Sequence, residues 1–560
     1  MSTSAKATTF TGNDVPKLTK ILYPWSGIFR DACYALIGTF LLQYAITSGV
    51  LSSDPSQFNA QYGVITVALM IALLWDGIND PIMGFILEKC HFKAGKFRPW
   101  IQIGAIGNAL VVLLMFLCPM IFTGLRGWGY VVFMIIMYIL WDTCFTMNDI
   151  GYWSMLPSLT NDPQQRAKLT TTTAIAATIG TFVMNIMMFV LPGSGLGSTM
   201  QVYAGTGIAV ALLFLASQTL VFFLCKEKQR DAEQDEVSEN SSILDLFRVL
   251  KKNKELLFAA LGMLLYYFSS FILTGVGQNY FYMLYGFGGG KGGLVATFIS
   301  VIYVLATIVA QALYPMLAKR LTKKKILTLM TIIIIASYIG FFLFAFPVFG
   351  TQPLAYNTPD AGNMLWVLGG SMFWLYLFAF LFFGATGIFY LAVLVMFQDA
   401  IDYGEWKNGE RKESICFAWR PLDVKVASGL FRGLQYLTFA ITGTYFAINA
   451  ISNWEGINNS LRNAAGDNEL VKEAISSLTA SKIDTVTNIV RTDESWRLTL
   501  FGIIIIGVII AAILASYIML RFCYKLDEKK MEEVVAELNA KKEQEVVDVE
   551  PQPAVEEGGK

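Results

Sequence analysis

Long apolar runs recur from one end of the chain to the other, and they constrain the fold more than any other feature. Each is long enough to cross a lipid bilayer, which takes about 20 helical residues. Twelve runs can be counted, at residues 25–51, 60–88, 101–123, 128–156, 168–192, 201–225, 256–285, 294–318, 326–349, 365–397, 425–451 and 497–521. A β-barrel would show short alternating segments instead. The sequence therefore predicts an all-α membrane protein with twelve transmembrane helices.

The connections between the runs differ in their basic residues. Those after spans 2, 4, 6, 8 and 10 are basic, as in "AKRLTKKK" between spans 8 and 9. Connections 1–2 and 5–6 have no Lys or Arg, whereas 3–4 and 7–8 have one each, Arg126 and Lys291. Short cytoplasmic loops are enriched in Lys and Arg. We therefore expect a multi-pass protein of the plasma membrane with both termini in the cytoplasm.

A charged stretch divides the spans into two sets of six. The predicted parts are a cytoplasmic segment 1–24, a six-helix bundle 25–225, a cytoplasmic linker 226–255, a second bundle 256–521 and a cytoplasmic tail 522–560. We expect an extracellular loop at about 452–496, an amphipathic surface helix at "SSILDLFRVLKKN" in the linker, and a solvated helix in the tail. Two six-helix halves are typical of pseudo-symmetric transporters, whose site lies between the halves.

The composition argues against several functional classes. Equal numbers of acidic and basic residues give a formal net charge of zero, which suggests no nucleic-acid partner. The single histidine, His91, and seven scattered cysteines leave little room for a metal site or a nucleophilic triad. The run "GFGGGKGG" lacks the order of a phosphate-binding loop and is predicted to be a turn. We therefore expect no enzyme activity and no cofactor.

Two acids lie in the second apolar run, within "LLWDGINDPIMGF". A carboxylate at bilayer depth costs about 2.5–3.5 kcal/mol on insertion scales. Asp76 and Asp80 share one helix face, Asn79 lies beside them, and Pro81 can free nearby carbonyls. These oxygens suit a monovalent cation, and the Asn79 amide favours Na⁺ modestly over a proton. The alternative is a buried structural pair matched to an arginine on another helix.

Acids and tryptophans also meet in the first and fourth spans. Asp149 and Trp153 are four residues apart in span 4, and Trp141 lies two turns earlier, whereas Asp31 lies in span 1. A carboxylate beside an aromatic ring is a common way to hold a sugar, because the acid accepts hydroxyl hydrogen bonds and the ring covers the C–H face. Alternatively, the tryptophans form an interfacial belt and Asp149 packs against another helix.

Two basic residues begin the eleventh span, within "FAWRPLDVKVASG". Lys425 can reach into a central cavity and balance the acids of span 2. Both Lys425 and Arg420 can instead anchor the helix at phosphate headgroups, since long basic side chains extend toward the interface.

At these residues the chain resembles the glycoside–pentoside–hexuronide:cation symporters of the major facilitator superfamily. The likeness is carried by "WDGINDPIMG" with "GKFRPW", by "MNDIGYWSMLPSLTNDPQQR" and by "QDAIDYGEWKNGERKES…VK". It implies the major facilitator fold, with two pseudo-symmetric six-helix bundles. It also implies alternating-access import of a galactoside, xyloside or uronide together with Na⁺ or H⁺.

The resemblance implies residue roles in three groups. The cation site comprises Asp76, Asn79, Asp80 and Thr146. The sugar-binding residues are Asp31, Asp149, Trp153 and Lys425. We add Trp141 to this group because of its helical spacing from Asp149 and Trp153. A cytoplasmic gate that locks the halves in the outward-facing carrier comprises Arg166, Asp399, Asp402, Tyr403, Glu405 and Arg411.

The chain departs from the galactoside carriers of that family at a few positions. Ala174 replaces a sugar-contacting arginine, Gly38 an aromatic residue, and Arg420 with Pro421 smaller polar residues. The identity of the sugar therefore stays open, and Arg420 weakly favours an acidic sugar such as a uronide. Two other functions remain: a lysolipid–Na⁺ symporter, which needs a wide apolar cleft, and a membrane sugar sensor, which usually has a larger cytoplasmic domain. The expected partners are a sugar, a monovalent cation and the bilayer, with the protein as a monomer.

Overall fold

The computed structural model describes most of the chain. The described residues are 15–89, 92, 94–160, 163–193, 196–227, 248, 250–285, 291–346, 370–408, 419–466 and 468–549. The predicted amphipathic helix of the linker falls mainly outside them, and so does the predicted turn at 286–290.

Long α-helices make up nearly all of the described structure. In chain order they are α1 (Lys17–Thr47), α2 (Pro55–Lys89), α3 (Arg98–Ile121), α4 (Trp128–Ser158), α5 (Pro163–Val190), α6 (Thr199–Leu224), α7 (Lys254–Tyr285), α8 (Lys291–Ala318), α9 (Lys323–Ala345), α10 (Gly370–Asn408), α11 (Trp419–Thr442), α12 (Tyr445–Ala464), α13 (Glu469–Arg491), α14 (Ser495–Ile518) and α15 (Glu528–Val549).

Ten of these helices are apolar and long enough to cross a membrane, counted over the described residues. They are α2 to α10 and α14. Helices α1 and α11 are also long, but they carry more charge, including Arg30 and Asp31 in α1 and Lys425 and Arg432 in α11. Together the twelve helices are consistent with the twelve predicted spans, and both α1 and α11 line the interior.

The helices pack as two bundles. Helix α1 packs on α5 and α6, and α3 on α4 and α6, whereas α10 packs on α8 and α9, and α7 on α11 and α14. The largest contact between the bundles joins α2 to α11. A Cβ at Gly63 would meet Tyr436 at 2.6 Å and one at Gly77 would meet Leu422 at 2.9 Å, so α2 and α11 lie close along much of their length.

A second contact joins the bundles at one end. We name the end with few basic loop residues the outer end and the opposite one the inner end. At the outer end α5 meets α8, and a Cβ on Gly293 would clash with the carbonyl oxygen of Phe189. Because a backbone atom cannot move aside as a flexible side chain can, this contact requires glycine. The structure is therefore closed between α5 and α8 at its outer end.

We expect Gly293→Ala to push the outer ends of α5 and α8 apart and to favour a state open to the outside. The measurement is the labelling rate, from the outer side, of a cysteine introduced at the cavity residue Ser300 in a cysteine-free background. That rate should rise several-fold. Gly205→Ala is the matched control, because a Cβ there meets nothing within 4 Å. Equal labelling in both variants would contradict the closure.

The prediction for the eleventh span was wrong at its C-terminal end. The span was expected to continue to residue 451, but α11 ends at Thr442 and the backbone turns at Gly443, where φ is +66°. This left-handed conformation suits glycine and breaks the helix. The following segment forms α12 and α13, so the expected loop at 452–496 is largely helical.

The α12–α13 hairpin covers the outer end of both bundles. Helix α12 packs on α1, α2 and α6, whereas α13 packs on α7 and α14. Asn453 Nδ2 donates to the backbone oxygen of Ser53 at 3.1 Å, and the rings of Tyr445 and Tyr62 lie 5.5 Å apart. The hairpin therefore links the two halves as well as closing their outer end.

The tail forms the predicted helix, but part of its surface is packed rather than solvated. Helix α15 packs on α10, with Val534 fully buried. Trp406 Nε1 donates to Glu537 Oε2 at 2.6 Å, and Lys530 Nζ lies 4.7 Å from the centre of the Trp406 ring. An apolar stripe within the charged tail sequence explains the difference, because it can be buried only against another helix.

Candidate functional site

A cavity of about 620 Å³ lies between the two bundles. This volume is within the range of small-molecule sites. Charged residues of both halves line it, namely Asp31, Asp76 and Asp142 from the first bundle and Lys425 and Arg432 from the second. The position of the cavity agrees with the expectation of a site between two six-helix halves.

Lys425 joins both acids of the predicted cation site. Its ammonium lies 2.8 Å from Asp76 Oδ2 and also pairs with Asp80 Oδ2. Because α2 and α11 belong to different halves, this three-residue cluster links the two bundles. With formal charges, two carboxylates and one ammonium leave a single negative charge, which one monovalent cation would neutralise.

The other predicted members of the cation site lie around this cluster. Thr146 Oγ1 on α4 donates to Asp76 Oδ1 at 3.2 Å, so its oxygen faces the first acid. Asn79 is half-buried one residue before Asp80 on α2. The structure thus brings Asp76, Asp80, Thr146 and Lys425 together.

Arg30 occupies the centre of the predicted sugar site. Its Nη2 lies 2.7 Å from Asp31 Oδ2 and its Nη1 lies 2.8 Å from Asp149 Oδ1. The guanidinium also lies 4.5 Å from the ring centre of Tyr152 and 5.0 Å from that of Trp153. With its side chain only 2% exposed, Arg30 fixes the two acids and the aromatic residues relative to each other.

The predicted sugar-site residues differ in how far their side chains are exposed. The Asp149 side chain is 39% exposed and that of Asp31 is 19% exposed, so the two carboxylates retain open surface beside Arg30. Trp153 is half-buried, edge-on to Tyr152. Trp141 is 2% exposed and stacks on Phe145, with only its edge reaching the cavity.

Arg420 has a defined setting in the second bundle. Its Nη2 donates to the Tyr390 hydroxyl at 2.6 Å and its Nε donates to the Tyr267 hydroxyl at 3.4 Å. These contacts place the guanidinium of Arg420 beside aromatic residues of α7 and α10. A uronide preference at Arg420 stays a prediction.

The predicted gate is only partly described. Asp399 pairs with Lys323, a residue of the same half. Tyr403 stacks on Trp406 at 5.6 Å, and Asp402 and Glu405 are half-buried beside it at the inner end of α10. The Arg166 side chain and all of Arg411 lie outside the described residues. The ion pair of Asp399 with Lys323 thus lies within the second bundle. That the gate residues lock the two halves together in the outward-facing carrier stays a prediction.

Sequence reasoning assigned no functional role to Arg30, Asp142 and Arg432, three charged residues of the interior. Arg30 adjoins Asp31 in "IFRDACYALIG", and Asp142 directly follows Trp141. Arg432 lies seven residues after Lys425, which places it on the same face of α11 two turns further out. Helical spacing from the recognised residues could have identified Asp142 and Arg432.

Comparison with known families agrees with this architecture. Residues 52–465 match the family described as MFS/sugar transport protein, which is well over half of the chain. The chain belongs to this family. This confirms the major facilitator resemblance and the expectation of a multi-pass membrane fold.

Curated relatives are sugar carriers. The raffinose carrier protein of Pediococcus pentosaceus is 25% identical over 444 residues, covering 76% of this chain and 62% of the relative. The lactose permease of Leuconostoc lactis is 26% identical over 443 residues, covering 76% and 63%. The isoprimeverose transporter of Lactiplantibacillus pentosus is 25% identical, covering 79% and 83%. The chain thus spans less than two thirds of the raffinose carrier and of that lactose permease.

A solved structure shares the fold. The bacterial homologue of the human lysosomal transporter Spinster, in an inward-facing and unoccupied conformation, matches with a TM-score of 0.51 and 13% sequence identity. The match covers 89% of this chain and 96% of the other. At this identity the likeness concerns the fold alone.

Proposed function

We propose that this protein imports a sugar together with Na⁺ or H⁺ by alternating access. The observation that carries the proposal is the cluster of Lys425 with Asp76 and Asp80, which links the two halves beside the central cavity. Its single formal negative charge is a counter-charge for one monovalent cation. We place the carrier in the plasma membrane as a monomer with both termini in the cytoplasm.

Coupling follows from the cost of enclosing a charge. When the halves close around the cavity, water leaves and an uncompensated carboxylate becomes costly. A cation bound between Asp76 and Asp80 removes that cost, with Thr146 and Asn79 as further oxygen ligands. The membrane potential adds about 2.3 kcal/mol per charge per 100 mV to inward movement of the cation. Cation and sugar must therefore strengthen each other's binding by the same factor.

A sugar is the cargo that best suits the residues around Arg30. Asp31 and Asp149 offer carboxylate oxygens to hydroxyl groups, and Trp153 offers a ring. The named relatives carry raffinose, lactose and isoprimeverose, which supports a glycoside cargo. A lysolipid–Na⁺ symporter is the second candidate, because most of the cavity wall is apolar. Charged side chains of both halves interrupt that wall, and they favour a cargo with several hydroxyl groups.

Uptake into membrane vesicles tests this function. The probes are radiolabelled melibiose, lactose and raffinose, each with and without an inward Na⁺ or H⁺ gradient. We expect a gradient to raise accumulation of at least one sugar about tenfold or more in the wild type. Asp80→Asn should abolish that stimulation, because it removes one of the two cation-binding carboxylates.

Glu473→Gln, on the exposed surface of α13, is the control and should behave as the wild type. Gradient-independent uptake in both the wild type and Asp80→Asn would contradict cation coupling. Sugar binding without any uptake would instead identify the protein as a sensor.

A further inference from the structure

The outer part of the cavity contains two charged groups that the proposed mechanism does not use. Asp142 on α4 and Arg432 on α11 line its opposite walls. Within the described ranges, Asp142 makes no hydrogen bond or ion pair with the protein. Arg432 donates from Nη2 to the carbonyl oxygen of Gly38 at 2.6 Å, and no described acid pairs with it. Both charges therefore keep hydrogen-bonding capacity toward the cavity.

Uncharged polar groups surround the same space without partners. Five of them line the cavity and have a buried nitrogen or oxygen atom with no hydrogen bond to any residue that the structure describes: Gln43 Nε2, Trp141 Nε1, Asn185 Oδ1, Asn279 Oδ1 and Gln435 Oε1. A buried polar group without a partner is destabilising, because it has lost its hydrogen bonds to water. Five such atoms in one cavity, both donors and acceptors, indicate a ligand that supplies acceptors and donors in turn, as sugar hydroxyls do.

An aromatic surface completes this part of the cavity. Tyr34 lines it and is 45% exposed, and its ring lies 5.0 Å from Phe145 and 5.9 Å from Trp141. The neighbouring rings hold Tyr34 in place, and its open surface can cover the C–H face of a sugar ring.

This region is separate from the residues around Arg30. Asp142 precedes Asp149 by seven residues on α4, and Gly38 follows Asp31 by seven on α1. At 1.5 Å per residue, both intervals correspond to about 10 Å along the helix axis toward the outer end. One sugar ring beside Arg30 would therefore leave the outer groups free for another.

We propose that Asp142, Arg432 and the polar groups around them form a second sugar subsite, so that the cargo is an oligosaccharide rather than a monosaccharide. Asp142 accepts hydrogen bonds from hydroxyls of the outer ring, Arg432 donates to its oxygens, and Tyr34 covers its apolar face. This subsite rests on the proposed function, because the inner ring is held at the residues already described.

Binding of a one-, two- and three-ring series tests the subsite. Methyl α-galactoside, melibiose and raffinose are titrated by calorimetry against the purified full-length carrier in saturating NaCl. We expect the wild type to prefer the larger sugars. Asp142→Asn and Arg432→Gln should each reduce the affinity ratio of melibiose to methyl α-galactoside about tenfold, the usual effect of losing a hydrogen bond to a charged group.

Two further sets of variants keep the result interpretable. Arg432→Lys keeps the charge and should restore part of the ratio, which separates ligand binding from a folding defect. Thr143→Ala and Leu430→Ala change exposed residues of α4 and α11 outside the cavity lining and should keep the wild-type ratio. Measuring Na⁺ affinity in Asp142→Asn shows whether that acid belongs to the cation site instead.

The outcomes separate this proposal from the proposed function. If the wild type binds none of the three sugars, an α-galactoside cargo and the subsite are both overturned, whereas gradient-driven uptake of another glycoside leaves the proposed function standing. If it binds them but the variants weaken all three equally, or change only Na⁺ affinity, the subsite alone is overturned. A reduced ratio with unchanged Na⁺ affinity supports it.

Discussion

Lys425→Met should lower cation-driven sugar accumulation at least about 100-fold. The substitution leaves Asp76 and Asp80 facing each other without their ammonium partner. Removing one member of a buried ion pair typically costs about 3–5 kcal/mol, because the remaining charge stays desolvated. The carrier should therefore unfold at a lower temperature and bind its cation with altered affinity. Thermal unfolding and vesicle uptake measure the two effects separately.

Two further variants distinguish the effect of the charge of Lys425 from the effect of its shape. In Lys425→Met/Asp76→Asn, only one carboxylate remains, so we expect the unfolding temperature to recover most of the loss. Coupling should stay absent, because the cation site has lost an oxygen ligand. Lys425→Arg should keep the fold, although a planar guanidinium replaces a compact ammonium. If Lys425→Met transports normally, the pairing of the lysine with Asp76 and Asp80 is not needed for coupling, and the role assigned to it is wrong.

The sequence predicted the helices well where length and hydropathy decide the outcome. Apolar runs of about 20 residues are forced to be helical in a bilayer, because every backbone polar group must find a partner within its own segment. Most of the spans followed from this rule. The rule does not apply beyond the bilayer, and there the helical hairpin after Gly443 and the packed face of α15 were missed.

The sequence suggested one of the two charge clusters of the candidate site and missed the other. Acids within apolar runs are costly enough to attract attention, so Asp31, Asp76, Asp80 and Asp149 were all identified. The sequence left open whether an arginine on another helix matched the acids of α2. The structure pairs Asp76 and Asp80 with Lys425, the other partner that the sequence suggested. It also places Arg30 between Asp31 and Asp149, a pairing that the sequence analysis did not suggest. Pairing depends on which helix faces turn toward each other, and a single sequence does not contain that information.

Arg30→Met is the second substitution for which we expect a large effect, a loss of sugar affinity of at least about 100-fold. Arg30 holds Asp31 and Asp149 through separate nitrogen atoms, at 2.7 and 2.8 Å. Without it, two carboxylates repel each other across a site where the guanidinium now fixes their orientation. The unfolding temperature should fall as well, for the same reason as at Lys425.

Neutralising the two acids separates the structural effect from the effect on binding. Arg30→Met with Asp31→Asn and Asp149→Asn removes the repulsion, so the unfolding temperature should return toward that of the wild type. Sugar binding should not return, because each anionic carboxylate is replaced by a neutral amide that has one acceptor oxygen instead of two. Arg521→Met, at an exposed position after α14, is the control and should change neither quantity.

Arg30→Lys gives the sharpest result, because it keeps the charge and removes the fork of donors. The compact ammonium of a lysine cannot reproduce the planar guanidinium, which reaches both acids through separate nitrogen atoms. The affinity for the sugar should therefore fall about tenfold while the fold survives. Calorimetric titration with melibiose and thermal unfolding measure the two quantities. Wild-type affinity in Arg30→Lys would show that the site needs only a positive charge, and the role assigned to Arg30 in orienting the acids would then be wrong.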